Sequence, residues 1–389
     1  MTDREKSDAT KLVEGGRRRE WRGRLVNVPV ERASTILFED VDELNDSGPR
    51  LGAYRYGLQG TATHWALSEA LTELEPGAAG TALYPSGLAA ITTPLLIFLS
   101  PGDELLAPDS VYGPTRKFCE TILKRLGVVT RYYDPLIGKG IGALIGDKSR
   151  MLLLESPGSM TMEVQDVPGM CASARERGLI TMLDNTWATP LLFPAIGAGV
   201  DITVLAATKY VGGHADVMLG TATATEKYFR RLQTASWDMG MAVSADDAFL
   251  ASRGLRTMAV RLKQHEKGAL RLARWLQHRP EVGLVLHPAL PDCAGHEIWK
   301  RDFKGSSGLF SFELKGDGLR RSRFVDALSL FGIGYSWGGY ESLVLPVDPM
   351  RTVSKAPASN LVRLHVGLED PDDLIADLAA AFDQAGRSP

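Results

Sequence analysis

Two ionisable residues, Lys209 and Asp184, each follow an apolar run at the point where a predicted strand ends. A lysine that is partly withdrawn from water has a lowered pKa, and its amine is then available as a nucleophile. A carboxylate inside a sheet needs a partner, because an unpaired buried charge is costly. Alone, each residue has an ordinary structural explanation; Lys209 also fits a surface lysine that buries only its alkyl stem.

Taken together, the two residues indicate a particular cofactor. A protonated ring nitrogen would be a suitable partner for Asp184, and pyridoxal phosphate (PLP) uses such an aspartate to become an electron sink. The same cofactor binds covalently to a lysine amine, which is the role that Lys209 would fill. The pair therefore predicts a PLP enzyme in which both residues bind the cofactor.

Three other segments carry groups that suit an anion or an aromatic ring. Ser86-Gly87 lies between a predicted strand and a predicted helix, where the first helix amides and the helix dipole favour phosphate. Tyr112 follows a strand and can stack on a cofactor ring, although a core aromatic fits the same spacing. Arg363 is the charged member of an apolar strand, so its anion is either a substrate carboxylate or an internal salt-bridge partner.

The elements that must position these residues follow an α/β pattern. From about Gly80 to Thr225, short β-branched runs alternate with helical stretches, which is typical of helices on both faces of a mostly parallel sheet. Continuous apolar runs such as MLLLE and ITMLD indicate strands covered on both sides. Ligands bind such sheets at the carboxyl ends of the strands, and Asp109 to Tyr112, Ser156 to Ser159 and Thr208-Lys209 all occupy predicted ends.

After the α/β region, a helical stretch from about Phe249 to His278 precedes shorter elements. GLFSFELK, SRFVDALSLF, YSWGGYESLVL and LVRLHVG are predicted as strand, helix, strand and strand. Asp370 is predicted to cap a final helix that Pro371 opens. We predict an arm over residues 1–57 that contributes to a neighbouring subunit, a PLP-binding α/β domain over 58–248, and a smaller C-terminal α+β domain over 249–389.

Composition excludes several classes of protein. The formal net charge of −3 gives no electrostatic reason to expect nucleic acid or an anionic membrane as a partner. The three cysteines contain no Cys-x-x-Cys pair, and the histidines have no metal-ligand spacing, so neither a disulfide framework nor a metal site is expected. The amino-terminal segment lacks the apolar core of a signal peptide, and we expect a cytoplasmic protein. The stretch Arg17 to Arg24 is interpreted as a solvated or subunit-wrapping arm, with a phosphate-binding arm as the alternative.

At these residues the chain closely resembles the Cys/Met-metabolism family of PLP enzymes, and within it the β-lyase branch. The resemblance runs from about Lys11 to Phe382. Six segments carry it as a set: ATKYVGGHADVMLGTA, LLLESPGSMTMEVQDVP, MLDNTWATPLLFPA, GSSGLFSFELK, YSWGGYESL and VRLHVGLEDPDDLIADL. It implies an α/β, PLP-dependent transferase-like fold of the aspartate aminotransferase type, with a mostly parallel central sheet and a smaller C-terminal α+β domain. The implied reaction is β-elimination from L-cystathionine to homocysteine, pyruvate and ammonia, a step of methionine biosynthesis.

The resemblance also implies how the cofactor is held. Lys209 would bind PLP covalently and act as general base, and Asp184 would pair with the pyridinium nitrogen. Tyr112 would stack on the ring and take part in catalysis. Three phosphate ligands would be the amides of Gly87 and Leu88 and the hydroxyl of Thr208.

The substrate and the assembly follow from the same resemblance. Arg363 would bind the substrate carboxylate, with Ser336, Trp337 and Tyr112 beside it. Tyr56 would reach the phosphate of a neighbouring subunit and contribute to catalysis there. This role implies a homotetramer built from catalytic dimers.

The chain departs from the family pattern at four positions. Relatives usually have Tyr-x-Arg where this chain reads Tyr56-Gly57-Leu58, so the phosphate loses its usual arginine, and Arg55 is the nearest cation in sequence. Ala206 stands where many relatives have serine, and Ser159 where many have asparagine. Tyr335 replaces the glutamate of the γ-synthases and γ-lyases. Because γ-elimination needs extra proton transfers, this replacement favours simple β-elimination.

Three other activities stay open. A cystathionine γ-synthase or γ-lyase would use the same scaffold. An amino-acid racemase would reprotonate the same carbanion from either face. A regulatory protein without turnover is disfavoured because Lys209, Asp184 and Arg363 are all retained. The sequence does not rank cystathionine against cystine, cysteine or other thioethers as substrates.

Overall fold

The computed structural model describes residues 6–45 and 52–386, which divide into two compact units. The first unit comprises the described residues up to Phe98 together with Pro194–Ala259, and the second comprises Leu99–Phe193 and the described residues from Val260 onward. Each unit is therefore assembled from segments that are distant in sequence.

Helices and strands are numbered in chain order. The helices are α1 (Asp8–Glu14), α2 (Arg19–Arg22), α3 (Val41–Asn45), α4 (Ala62–Thr72), α5 (Gly87–Phe98), α6 (Gly113–Phe118), α7 (Val167–Glu176), α8 (Thr189–Leu192), α9 (Glu226–Asp238), α10 (Ala245–Leu255), α11 (Met258–Gln277), α12 (His296–Asp302), α13 (Gly318–Asp326) and α14 (Pro371–Ala385). The strands are β1 (Ala78–Tyr84), β2 (Glu104–Pro108), β3 (Val129–Tyr133), β4 (Ser149–Glu155), β5 (Ile180–Asp184), β6 (Ile202–Ala206), β7 (Gly220–Thr225), β8 (Val282–Leu286), β9 (Leu309–Leu314), β10 (Gly332–Ile333), β11 (Leu343–Val347) and β12 (Leu361–His365). No helix among the described residues is both long enough and apolar enough to cross a membrane.

Several helices begin at a side chain that caps their first amides. Asp166, Ser244 and Asp317 accept hydrogen bonds in this way at α7, α10 and α13. Asp370 accepts from the amide of Asp372 at 2.8 Å, and Pro371 is the first residue of α14. An oxygen at this position satisfies an amide that has no partner inside the helix. The predicted start of the final helix is confirmed.

The first unit contains the antiparallel strand order β1-β7-β6. α5 packs against β6 and β7, and α4 and α9 pack against β1. Parallel neighbours require a crossover connection, usually through a helix. The chain between β6 and β7 contains no helix and instead turns back directly, and this turn carries Thr208 and Lys209.

The second unit contains the parallel strand order β5-β4-β2-β3. The apolar residues of β4 and β5 are almost completely buried, as their continuous apolar sequences predict. Glu155 and Asp184, the last residues of β4 and β5, are register partners. The mostly parallel sheet is confirmed here, and its carboxyl edge places two acidic residues side by side.

A second sheet in the same unit has the order β10-β11-β12-β9-β8 and is antiparallel except for β10 and β11. Its core is aromatic, with Phe310, Phe312, Phe324 and Phe382 fully or almost fully buried. The predicted strand YSWGGYESLVL is only partly correct. β11 begins at Leu343, and the residues before it form a loop.

The amino-terminal segment contains three short helices that the sequence did not predict. The guanidinium of Arg256 donates hydrogen bonds to the carbonyls of Leu12 (2.6 Å) and Gly15 (2.9 Å), at the end of α1. Arg17 donates to the carbonyl of Val26, and Arg22 donates to the carbonyl of Arg17. Two arginines of the arginine-rich stretch therefore stabilise their own segment.

The domain boundaries at residues 57 and 248 stay a prediction.

Candidate active site

The predicted site residues form two groups, one in each unit. The first unit holds Tyr56, Gly87, Leu88, Thr208 and Lys209, and the second holds Tyr112, Asp184, Ser336, Trp337 and Arg363. Half of them lie in turns or loops that follow strands.

The turn between β1 and α5 is closely packed at Gly87. A Cβ atom at Gly87 would lie 2.4 Å from the Cβ of Ala206 and 2.9 Å from its Cα. The Ser86 hydroxyl accepts the amide of Ala89 at 3.1 Å, and a Cβ on Gly220 would lie 2.1 Å from the Ser86 carbonyl oxygen. The helix start is thus held against β6 and β7. Leu88, in the first turn of this helix, is exposed, and the unpaired amides of a helix start favour an anion.

Replacing Gly87 with alanine is expected to lower affinity for a phosphate-bearing ligand about tenfold or more, because overpacking costs roughly 1–3 kcal/mol and displaces the turn. PLP binding to the apoprotein, followed by fluorescence, measures this effect. Gly318→Ala is the matched control, since Gly318 also begins a helix but its added Cβ meets nothing within 4 Å. Equal PLP affinity in Gly87→Ala and the wild type would contradict the assignment of this turn.

Lys209 follows the end of β6 in a tight turn. Its amide donates to the carbonyl of Ala206 at 2.9 Å, and its carbonyl accepts the amide of Gly213 at 2.8 Å. Lys209 is half-buried, and the next residue, Tyr210, is buried. The Thr208 hydroxyl accepts the amide of Leu219 at 3.0 Å and lies 3.2 Å from the Leu219 carbonyl, to which it donates. It must therefore rotate if it is to donate to a phosphate.

Tyr56 lies in the first unit with its side chain largely exposed. Its backbone pairs with Thr35, and the next amide, Gly57, donates to the Ser34 carbonyl at 2.8 Å. A Cβ at Gly57 would lie 2.0 Å from the Ala33 carbonyl oxygen, which explains the glycine. Leu58 is half-buried. The backbone is thus well anchored while the phenol remains accessible.

Asp184 ends β5 with its carboxylate half-buried. One of its oxygens, Oδ1, accepts the amide of Thr186 at 3.0 Å and the hydroxyl of the same residue at 2.6 Å. Two donors on one oxygen favour the ionised carboxylate. Burial, followed by the charge of Asp184, raises the pKa of Tyr112, so this phenol and the carboxylate lie near each other. Tyr112 remains partly exposed and its ring can contact a ligand.

Glu155 belongs to the same group, and the sequence reasoning missed it. Its Oε2 accepts the amide of Tyr112 at 2.8 Å, and only 8% of the residue is exposed. Burial, and next the charge of Asp184, raises the pKa of Glu155 well above its usual range. The sequence did contain one signal for Glu155: two apolar runs, MLLLE and ITMLD, each end in a carboxylate.

Arg363 lies in the middle of β12, half-buried. Its Nη2 donates to the carbonyl of Ser336 at 3.2 Å, and burial lowers its pKa below the usual value. Tyr112 and Tyr335 act on this pKa in the opposite direction, so both phenols are close enough to influence the guanidinium. Ser336 has a φ of 82°, a left-handed conformation uncommon for a residue other than glycine. Backbone strain of this kind is concentrated at functional sites.

The loop that carries Ser336 and the half-buried Trp337 is held at its middle and at its carboxyl end. The amide of Gly338 donates to Nε2 of His365 at 3.0 Å. Further along, the amide and hydroxyl of Ser342 donate to the two carboxylate oxygens of Glu369 at 2.7 and 2.8 Å. The left-handed backbone at Ser336 is therefore imposed by a fixed frame.

Asp109, completely buried after β2, anchors the loop that leads to Tyr112. Its carboxylate accepts from Nη2 of Arg116 (2.7 Å), from the amide and hydroxyl of Thr352, and from the amides of Val353 and Ser354. Burial alone raises the pKa of Asp109, but these hydrogen bonds outweigh it and lower the pKa to about 2. The carboxylate thus joins two segments that are 243 residues apart in sequence.

Asp109→Asn is expected to lower the free energy of unfolding by about 3 kcal/mol, because it leaves Arg116 without its buried charge partner and turns an amide NH2 toward backbone donors. Denaturant titration measures this loss. Glu120→Gln, at the exposed partner of the same arginine, should cost no more than about 0.5 kcal/mol. Since the lowered pKa stabilises the fold only while Asp109 is ionised, the difference between wild type and Asp109→Asn should shrink as pH falls from about 4 to about 2. A constant difference over that range would contradict the charge-based account.

The residues present fit PLP. The packed glycine turn at Gly87 provides a helix start without a side chain in the way, as a phosphate requires. Asp184 offers a carboxylate held by Thr186, which suits a protonated ring nitrogen. Tyr112 presents an accessible aromatic ring near that carboxylate, and Lys209 supplies the amine.

Comparison with known proteins agrees with this chemistry. The family model described as Cys/Met metabolism PLP-dependent enzyme matches residues 9–383. A putative cystathionine beta-lyase of Rhizobium johnstonii is 50% identical over 92% of this chain and 91% of that protein. Cystathionine beta-lyase MetC of Escherichia coli is 45% identical over 96% of this chain and 97% of that protein. The crystal structure of metB from Corynebacterium glutamicum has a TM-score of 0.91 at 28% identity, and the match covers 97% of this chain and 98% of that chain, which confirms the fold class. The chain therefore belongs to the Cys/Met metabolism family of PLP-dependent enzymes.

Proposed function

We infer that this protein is a PLP-dependent carbon–sulfur lyase that cleaves L-cystathionine by β-elimination to homocysteine, pyruvate and ammonia. The observation that carries this inference is the nearly full-length similarity, at 45% and 50% identity, to proteins named for this activity. Tyr335, which stands where the γ-enzymes have an acidic residue, supports β-elimination over γ-elimination.

Lys209 and Asp184 have complementary proton roles in this proposal. Bound PLP supplies an electron sink for the carbanion that forms at the α-carbon. The amine of Lys209 holds the cofactor and, once the substrate replaces it, takes the α-proton as general base. The Asp184 carboxylate, kept ionised by the two donors of Thr186, holds a proton on the ring nitrogen. Gly87, Leu88 and Thr208 bind the phosphate.

Arg363 binds and orients the substrate carboxylate. Its guanidinium is aimed by the carbonyl of Ser336, and the planar fork fits a carboxylate. Trp337 follows Ser336 in the same loop, and Tyr112 stacks on the cofactor ring. Because its pKa is raised, the Tyr112 phenol keeps its proton at neutral pH, so that either it or Lys209 donates a proton to the departing thiolate.

The proposal extends to the assembly. The accessible phenol of Tyr56 reaches the phosphate site of a neighbouring subunit, in a homotetramer of catalytic dimers. Leu58, where relatives usually have arginine, contributes no charge to that phosphate. Cys119, Cys171 and Cys293 are buried and form no disulfide bonds, which agrees with a reducing, cytoplasmic environment.

A single spectrophotometric experiment tests the proposed reaction. The absorption spectrum of the purified protein is recorded before and after L-cystathionine is added, while pyruvate and free thiol are assayed. We expect a cofactor band at the visible edge, with pyruvate and thiol released in equal amounts. A coloured protein that yields 2-oxobutyrate would indicate γ-elimination, and loss of chirality in L-alanine without pyruvate would indicate a racemase. A protein that stays colourless with added PLP would contradict the proposed function.

A further inference from the structure

Two carboxylates end neighbouring parallel strands at the edge that carries the site. Glu155 and Asp184 are register partners at the ends of β4 and β5, so their side chains leave the sheet on the same side. Two negative charges this close in a poorly solvated place are costly, and one member of such a pair usually keeps its proton. The environments of the two groups decide which one does.

Asp184 has the environment of the ionised member. It is the more exposed of the two, and one of its oxygens receives both the amide and the hydroxyl of Thr186. Glu155 is almost fully buried, and although the amides of Tyr112 and Ser159 favour its ionised form, burial and the neighbouring Asp184 outweigh them and raise its pKa; the bond from the Tyr112 amide needs only an acceptor oxygen, which a neutral carboxylic acid retains. The geometry therefore separates the roles of the two carboxyl groups.

The other groups around Glu155 do not change this assignment. The phenol of Tyr133, on β3, is completely buried. Burial raises its pKa well above the usual value, so it adds no charge near Glu155. Arg351 is the cation that favours an ionised Glu155. Its guanidinium, however, bonds to Glu163 at 2.5 Å and to Thr161 at 2.6 Å, so that its charge is largely compensated.

We propose that Glu155 is a positioning residue that holds the backbone of Tyr112 as an uncharged carboxylic acid, which leaves Asp184 as the only ionised carboxylate of the pair. This inference rests on the proposed function, in which Tyr112 and Asp184 contact the cofactor. Glu155 fixes the point from which the Tyr112 side chain extends and does not compete with Asp184 for the ring proton. A second ionised carboxylate at this edge would also attract the protonated ring nitrogen and would weaken its pairing with Asp184.

Glutamine is the decisive replacement, because it preserves the acceptor oxygen and the absence of charge. Apoenzyme is titrated with PLP by fluorescence. Glu155→Gln should bind PLP within about threefold of wild type, whereas Glu155→Ala, which loses the hydrogen bond, should bind at least about tenfold more weakly. The pH midpoint of the bound cofactor's absorption should be the same in Glu155→Gln and wild type, because no charge has been removed. Glu104→Gln is the matched control, because Glu104 is a half-buried glutamate that begins strand β2, whereas Glu155 ends strand β4.

Infrared difference spectra measure the protonation state directly. The carbonyl band of a buried carboxylic acid should be present in wild-type apoenzyme and holoenzyme at neutral pH and absent from Glu155→Gln. A wild-type protein without that band, a shifted absorption midpoint in Glu155→Gln, or equal weakening by glutamine and alanine would overturn the proposal. A wild-type protein that binds no PLP would instead contradict the proposed function, and the infrared band of the apoenzyme would still decide whether Glu155 is uncharged.

Discussion

Lys209→Ala is expected to reduce cystathionine cleavage by on the order of 10⁴-fold or more, because one amine serves as both the covalent anchor of the cofactor and the general base. Pyruvate and thiol release at saturating cystathionine measure the loss. Borohydride reduction of the wild-type holoenzyme, followed by peptide mass analysis, should place the cofactor on the peptide that contains Lys209.

Lys139→Ala provides the control, since Lys139 is an exposed lysine in a short 3-10 helix (Gly138–Ala143) of the second unit. It should leave turnover and cofactor content unchanged. If Lys209→Ala retained most of the wild-type activity, or if reduction labelled a different lysine, the assignment of Lys209 would be wrong.

Asp184→Asn should lower kcat by about 100-fold or more, because asparagine retains the acceptor for Thr186 but removes the charge that keeps the ring nitrogen protonated. The fold should be preserved, so circular dichroism is expected to match wild type. Steady-state kinetics and the spectrum of the bound cofactor measure the effect.

Asp134→Asn is a closely matched control. Asp134 also follows a strand, β3, and its Oδ1 accepts the amide two residues ahead, that of Leu136, at 2.9 Å. It therefore shares with Asp184 the bond from the amide two residues ahead, but has no proposed contact with the cofactor. Equal activity of Asp184→Asn and Asp134→Asn would show that the Asp184 charge is not needed.

The sequence was most informative where a functional residue stands at the boundary of a local pattern. Lys209 and Asp184 each follow or end an apolar run, and ligands of α/β proteins bind where strands end. Gly87 stands between a strand and a helix, and Asp370 and Pro371 mark a helix start through local chemistry alone. Each of these signals depends on residues adjacent in the chain.

Glu155 and Asp109 could not be recognised in this way, because their properties come from distant contacts. The behaviour of Glu155 depends on its register with Asp184 and on burial, neither of which a single strand sequence reveals. Asp109 was noted as a polar residue at a strand end, but its partners at residues 352–354 follow it by 243 positions or more.

Short elements in the arm and in one loop were misjudged for a related reason. α1 to α3 are too short to be stable alone and show no clear periodicity, and Arg256 fixes the end of α1 from far along the chain. YSWGGYES has aromatic residues typical of a strand. His365 and Glu369 instead hold it as a loop with a left-handed residue at Ser336.

The bond network of Asp109 also has a consequence for biosynthesis. A ribosome adds residues in order, and Asp109 is made long before Thr352, Val353 and Ser354, which emerge after about nine-tenths of the chain has been translated. Until then, the segment leading to Tyr112 lacks the anchor that the finished protein provides. Nascent chains should consequently acquire their cofactor late, close to release, and a message truncated before codon 352 would encode a product unable to anchor the segment that leads to Tyr112.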